Sequence, residues 1–586
     1  MSGNQPAETG PEDTTPESAT PAATRGEATG PGAVPGEASA PEAVEGRSPA
    51  PGPAPAKAAG PGPVRSRAAA EGSTAGRWRK GEQEPWAMRV RPRPPAAVRP
   101  ATLWSALATG LLSAALLGDG AGPNLLIVAV SAALAASFAA RTAGRLPRPW
   151  TWVWAAGGLV LLVVPALRDS NWPSSLAVVA AFGAGALALH GGRTWPGLLL
   201  GPLGIPAAVV PAIGWARQGV AERVGRSRGR WGPVLRTTGI AAGLLLVFGA
   251  LFASADAAFA DLLGGLIPDV PVADGPWRFL LFLLGLTGAL AAARAAAAPL
   301  RWDRLAFRAG KARPRWEWAL PLIVLDLLVA AFIAVQLAVL FGGYDKVLEE
   351  TGLTYAQYAR QGFWQLLWAT LLTLVVIALA LRWAPRSGPR DRALVRGVLG
   401  TLCLLTLVVV ASALRRMDLY VDAYGLTRLR VSVAAMELWL GLVIVLIMAA
   451  GVFGAAWLPR AVGASAVAAV LAFGLMSPDG VVAERNVARY ERTGKIDVDY
   501  FPALSADAVP ALDGLPEPLR SCALERLARN LEADRGKPWY ATSWSEHRAR
   551  RIIAERPVDA TGSQCGEYGR MRGEGDEYDG GATPGR

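Results

Sequence analysis

Beginning near Ala101, runs of about twenty apolar residues recur along the chain, separated by short polar connectors. A bilayer core of about 30 Å takes a helix of that length, because the axis advances about 1.5 Å per residue. Within lipid the backbone groups must be bonded inside the segment itself, which leaves helices as the structure for such runs. The fold class implied is all-α, a polytopic integral membrane bundle. About eleven runs qualify: Ala101–Gly118, Pro123–Ala140, Trp150–Leu167, Asn171–His190, Val234–Ala255, Trp277–Ala298, Trp318–Phe341, Phe363–Trp383, Gly397–Leu414, Val431–Trp457 and Ala461–Met476. The first lies behind a long polar tail without the features of a signal peptide and reads as a retained span. A further apolar stretch, Thr194–Trp215, carries Pro196, Pro202, Pro206 and Pro211. Proline removes a helix hydrogen bond and kinks the axis. This stretch is therefore expected to lie at the interface or re-enter rather than span cleanly.

Charge follows the same alternation. Charged residues make up 18% of the chain, below the roughly 25% of soluble proteins, and the net charge is +12. The excess sits in alternate connectors: Arg141, Arg145 and Arg148, then Arg217 to Arg230, Arg301 to Arg315, and Arg386 to Arg396. Between them, the Gly118–Gly122 connector and residues 256–274 carry aspartates and no Lys or Arg. By the positive-inside rule the basic connectors and the N-terminus are cytoplasmic, in a multi-pass protein of the cell membrane. An odd number of crossings then places the C-terminus outside. Binding of nucleic acid would need the basic residues gathered on one soluble domain, so that class is excluded. The bilayer itself is the expected partner.

Four regions follow. Residues 1–99 are rich in Pro, Ala and Gly, without apolar periodicity, and read as a disordered cytoplasmic tail that turns basic near its end. Residues 100–477 form the membrane domain. Residues 478–557 read as a soluble helical segment, in which Leu519, Leu524, Leu527 and Leu531 share a face. Residues 558–586 read as a second disordered tail. Cys403 lies in an apolar run, whereas Cys522 and Cys565 share the C-terminal segment and form a disulfide if that segment faces an oxidising compartment. Two histidines in the chain exclude a histidine-rich zinc site, and no metal or cofactor is expected.

An ionisable group inside a span costs about 2.5–3.5 kcal/mol on insertion scales and so needs a reason. Asp326, within LPLIVLDLLVAAFIAVQL, is the leading candidate for a proton or cation site, with Gln336 further along the same run. The alternative is a carboxyl kept for packing or kept neutral. Glu437 is a third intramembrane candidate, for which a pairing with Arg430 along one helix face is the simplest account. The stretch RRMDLYVDAYGLTRLR, between two apolar runs, reads as an outer connector. Its Arg415, Arg416, Asp418, Asp422, Arg428 and Arg430 form either an interfacial turn or a site for an anionic ligand, since arginine forks match carboxylate and phosphate. No P-loop, dinucleotide glycine fingerprint, GxSxG elbow or HExxH occurs, and nothing specifies an enzyme.

The pieces LFASADAAFADLL (251–263), TYAQYARQGFWQLL (354–367), RRMDLYVDAYGLTRLR (415–430) and NVARYERTGKIDVDYFPALSADAVPAL (486–512) resemble a family of bacterial polytopic membrane proteins. These proteins are known as a domain of unknown function of the 4153/4173 type, and the residue usage is similar to that of a high-GC actinobacterium. The resemblance spans roughly residues 100–545. It implies membrane topology and no catalytic residues. Two functions are compatible with it. One is a transporter or permease-like protein using Asp326, with Glu437 as a second candidate intramembrane site. The other is a non-catalytic sensor or scaffold whose outer loops and C-terminal segment bind an envelope protein or a small-molecule ligand. The sequence leaves the oligomeric state open.

Overall fold

The computed structural model describes residues 86–226, 232–256, 258–259, 274–305, 313–342, 363–384 and 388–559. The greater part of the tail at 1–99, the tail at 560–586, most of the loop at 256–274, the tyrosine-rich stretch at 343–362 and Cys565 fall outside them. Among the described residues there are helices and no strands. In chain order the principal helices are α1 (Pro100–Leu116), α2 (Pro123–Thr142), α3 (Pro149–Leu161), α4 (Asn171–His190), α5 (Gly204–Arg226), α6 (Gly232–Ala255), α7 (Gly275–Ala297), α8 (Arg315–Gly342), α9 (Phe363–Trp383), α10 (Pro389–Tyr424), α11 (Arg428–Phe453), α12 (Leu458–Leu475), α13 (Pro478–Thr493), α14 (Leu519–Ala533) and α15 (Trp544–Glu555).

Local chemistry sets many of these boundaries. α1, α2, α3, α10, α12 and α13 have proline in the first turn, where its missing N–H is one the helix leaves unbonded anyway. The spans are apolar on every face because lipid is the solvent outside, and Leu327, Leu328 and Val335 of α8 point outward accordingly. Inside, small side chains bring the helices close. Ala106, Ala135, Ala289, Ala291 and Ala295 pack as one cluster, and the Thr109 and Ser131 hydroxyls meet at 2.9 Å between α1 and α2. A methyl group placed on Gly285 of α7 would overlap the Ser113 side chain of α1, so these helices cross where no larger residue fits.

Long-range bonds sort the connectors into two ends of the bundle. At one end, Arg145 donates to the Ala296 carbonyl (2.6 Å), and the Arg193 and Thr194 amides donate to Asp303 (2.9 Å each). The Arg301 amide at this end donates to Val90 O (3.0 Å). Residues 86–99 belong to this end, with Val90 and Val98 each 3% exposed, so the stretch read as the end of a disordered tail is packed against the bundle. Its two valines and the backbone carbonyls around them find partners that composition alone does not reveal. At the other end lie the α1–α2 connector, residues 168–170, the α10–α11 turn and the exit from α12.

Among the described residues eleven helical stretches are long and apolar enough to cross a membrane, and Trp195–Arg223 is one of them, whereas α1 has only 17 residues. The contacts separate these two cases. α1 runs alongside α7 from end to end: Gly110 lies against Phe282, and Arg278 reaches the Ala114 carbonyl at 3.3 Å. The 195–226 segment instead begins beside Asp303, and Gly204 abuts the ring of His190, the last residue of α4. It ends with the Trp215 indole donating to Ala96 O (2.9 Å) and with Arg223 bonded to Val98 O. Both of its ends therefore lie at the Val90–Arg99 end, as its four prolines lead one to expect. With α1 counted and this segment set aside, eleven helices among the described residues remain as candidate crossings, and the C-terminal unit sits at the end opposite Val90–Arg99.

The 415–430 stretch corrects the reading as an outer connector, since most of it is helix. α10 is 36 residues long, about 54 Å at 1.5 Å per residue, and carries Arg415 to Tyr424 as its last turns beyond the thickness of a bilayer core. It stops at Gly425 (φ +81°), and Thr427, whose hydroxyl accepts from the Arg430 amide, caps α11 three residues later.

Candidate functional site

The intramembrane candidates do not share one site. Asp326 lies eleven residues, about 16 Å, along α8 from Arg315. It is 8% exposed, and its Oδ1 is buried without a hydrogen-bond partner. It lines a cavity of about 500 Å³ between α8 and α10, together with Ile323, Leu327, Gly397, Val398 and Thr401 among others. Gln336, about 15 Å further along the helix, faces α10 differently: its Oε1 accepts from Arg416 (2.7 Å) and from Ser412 (3.4 Å). Glu437 is fully buried in α11, and its Oε1 accepts from Thr370 of α9 (3.1 Å) while Oε2 has no partner. The expected Glu437–Arg430 pairing is not made. Arg430 turns back to the Gly425 carbonyl and stacks over the Tyr420 ring at 4.1 Å.

The charged residues of 415–430 likewise part company. Arg415, Asp418 and Asp422 are exposed, and Arg416 reaches towards α8. Arg428 forms a two-pronged ion pair with Asp479 of α13, its Nε 2.6 Å from Oδ1. That pair opens onto a site which sequence reading did not assemble: the polar joint between the bundle and the C-terminal unit.

The joint has three footings. At the first, Asp479 is 1% exposed and also accepts from the Ser505 amide (2.9 Å). The Tyr500 hydroxyl accepts from the Arg428 amide (2.8 Å). Asn486 grips Leu426 at both backbone groups, its Oδ1 accepting from the amide (2.9 Å) and its Nδ2 donating to the carbonyl (2.8 Å). At the second, Asp507 accepts from the Asp169 amide (3.1 Å), from Ser170 Oγ (3.0 Å) and from Ser545 Oγ, and pairs with Arg168 at 3.5 Å. Asp169 in turn accepts from the Ala506 amide (3.0 Å). Burial pushes the Asp169 carboxyl up to about 7, with Glu546 and Asp507 acting the same way and the Ala506 amide and Lys537 opposing. At the third, Asp119 accepts from Tyr540 Oη and from Arg278 Nη2, both at 3.1 Å. Each footing joins a connector of a few residues to side chains far away in sequence, so spacing carries no sign of it. The one local hint is that Asp169, Asp507 and Asp479 stand in short apolar or small-residue surroundings.

Above the joint the C-terminal unit has its own core, built from Val482, Phe501, Val509, Leu512, Leu524 and Leu527. Leu519, Leu524, Leu527 and Leu531 are all buried, as their shared face requires. Cys403 is free and buried in the membrane domain, and Cys522 is a disulfide cysteine whose expected partner Cys565 lies outside the described residues. Among the described residues no cluster of metal-ligating side chains occurs.

These features define a class: an integral membrane protein with a multi-span helical bundle and a helical unit docked at one end. The chain belongs to the family described as Domain of unknown function (DUF4153), whose model matches residues 155–515. All four pieces on which the resemblance rests fall inside that match, as do Asp169, Asp326, Arg428, Glu437, Asp479, Asn486 and Asp507. α1, α2, α14 and α15 lie beyond it. Comparison with curated proteins gives no match, and neither does comparison with solved structures.

Proposed function

We propose that this integral membrane protein is a carrier of the permease type, with Asp326 as its working group. The observation that carries the reading is a carboxyl oxygen in mid-span, buried and without a partner, on the wall of a cavity of about 500 Å³. A span keeps so costly a group where something binds to it. Glu437, held by Thr370 on a neighbouring helix, serves the packing of α9 on α11 in this reading rather than the transported species. A carrier needs water to reach the group from one side in turn. Placing a cysteine at Asp326 (Asp326→Cys, with Cys403→Ser) tests this in native membranes with a small charged thiol reagent. Labelling is the expected result, and a thiol that stays unmodified from both sides sinks the carrier reading.

A second reading is favoured by the joint: a sensor or scaffold in which the docked unit meets an envelope protein or a small-molecule ligand outside the cell. It accords with the arginine-rich connectors at the Val90–Arg99 end, the end that the positive-inside rule leads one to expect in the cytoplasm. Under it, Asp326→Asn is silent while loss of residues 478–557 abolishes the cellular phenotype.

A further inference from the structure

We infer that the cavity at Asp326 binds a lipophilic monocation, an apolar body bearing one positive charge, that enters sideways from the bilayer; this rests on the carrier reading for its purpose but not for its chemistry. The wall identifies the class. It is formed by Ile323, Leu327 and Ala330 of α8 and by α10 from Ala393 to Leu405, and its polar side chains are Asp326 and Thr401 alone. A sugar, amino acid or nucleotide brings many polar groups whose hydration two side chains cannot replace, and each unmatched group is costly in an apolar site. Among the lining side chains an anion would meet the Asp326 carboxyl and no cation. A bare proton needs no cavity, whereas 500 Å³ is within the usual range for a small organic ligand.

The route follows from exposure. Ile323, Leu327, Ala393, Gly397 and Thr401 are all exposed on the flank of the α8–α10 pair, so the cavity opens towards the lipid rather than into the bundle. Asp326 sits about 16 Å along α8, deep in the hydrocarbon, where a hydrated ion is not stable but a charge spread over an apolar body is. There the Asp326 carboxyl, giving up its proton as the cation arrives, is the strongest attraction available to it, because low polarity leaves the resulting ion pair little screened.

The test uses the full chain in lipid nanodiscs, with radiolabelled tetraphenylphosphonium as probe, tetraphenylborate as the anion of the same shape, and empty nanodiscs as the partition blank. The phosphonium is expected to bind saturably and the borate not at all above the blank. Asp326→Asn is expected to weaken the phosphonium by about tenfold or more, equivalent to about 1.4 kcal/mol or more, and Asp326→Glu to retain it. A Cβ on Gly397 would meet nothing within 4 Å, so Gly397→Phe starts in open space on the cavity wall and is expected to fill the cavity with Asp326 in place, its folding checked by size-exclusion chromatography of the nanodisc-embedded protein. It is expected to abolish binding. Equal retention of the borate, or unchanged phosphonium affinity in Asp326→Asn or Gly397→Phe, overturns the inference. Saturable, Asp326-dependent binding without labelling of Asp326→Cys from water upholds the ligand class and removes the carrier reading. Labelling without phosphonium binding does the reverse.

Discussion

Asp326, Glu437, Asp479 and Asp507 are all at least nine-tenths buried, and what surrounds each decides its use. Asp479 and Asp507 are saturated by amides, hydroxyls and arginine, and act as structural rivets. Asp326 has an unbonded oxygen and a cavity beside it. Asp326 and Glu437 are legible in sequence, because a carboxylate within an apolar run is conspicuous. Asp507 is not, because its burial arises from Ser170 and Ser545, which lie more than three hundred residues apart. The joint also titrates. Asp169 has an ordinary value near 3.8 when released and about 7 when docked, so the docked state holds the proton more tightly. Its contribution to docking is full below about pH 4 and is lost as pH rises through about 7. Hydrogen exchange across residues 478–557 of the full chain is therefore expected to quicken between pH 5 and pH 8, relative to the intrinsic rate. Asp169→Asn is expected to flatten that dependence. Asp507→Ala, by contrast, strands several buried donors and loosens the unit at every pH, by about 1–3 kcal/mol. A pH response that survives in Asp169→Asn would assign the titration to another group.

At the scale of elements, most apolar runs have boundaries close to those of the helices, because length and hydropathy are local properties. Two stretches needed tertiary information. Arg415 to Tyr424 looks like a loop because it is charged, yet Arg, Met and Leu are good helix formers and α10 simply continues past the hydrocarbon until Gly425. Thr194–Trp215 is the opposite case: its hydropathy suits a span, and its prolines argue against one. The contacts side with the prolines, since His190 and Asp303 hold one end of the segment and Ala96 and Val98 hold the other. Cysteines at the exposed positions Arg193 and Gln218, introduced singly with the native cysteines removed, are accordingly expected to react with an impermeant thiol reagent from the same side of the membrane. Reaction from opposite sides would make 195–226 a true crossing. It would also change the parity of everything after it.

For the whole molecule, that parity has consequences at both termini. α1 starts at the Val90–Arg99 end, and the C-terminal unit is bolted to the α1–α2, α3–α4 and α10–α11 connectors at the other. These three footings tie helices from both halves of the bundle to one unit, so the unit cannot be moved to the opposite face without breaking all of them. Fixing the side of one terminus thus fixes the other. Arg141, Arg145, Arg148, Arg301 and Arg304 gather at the Val90–Arg99 end, and a cytoplasmic excess of arginine is the strongest determinant of orientation. The expected outcome is that Asn530→Cys, at an exposed position of α14, is labelled by an impermeant reagent in intact cells, whereas a cysteine at the exposed Arg193 is labelled only after the cells are opened. Outside the cell the compartment is oxidising, and Cys522 with Cys565 should then leave no free thiol in unreduced protein once Cys403 is replaced. The converse pattern at both cysteines would invert the protein and keep the fold. Labelling of both from one side would contradict the joint itself, since no arrangement with Asp507 seated on residues 168–170 puts α14 and Arg193 on the same face.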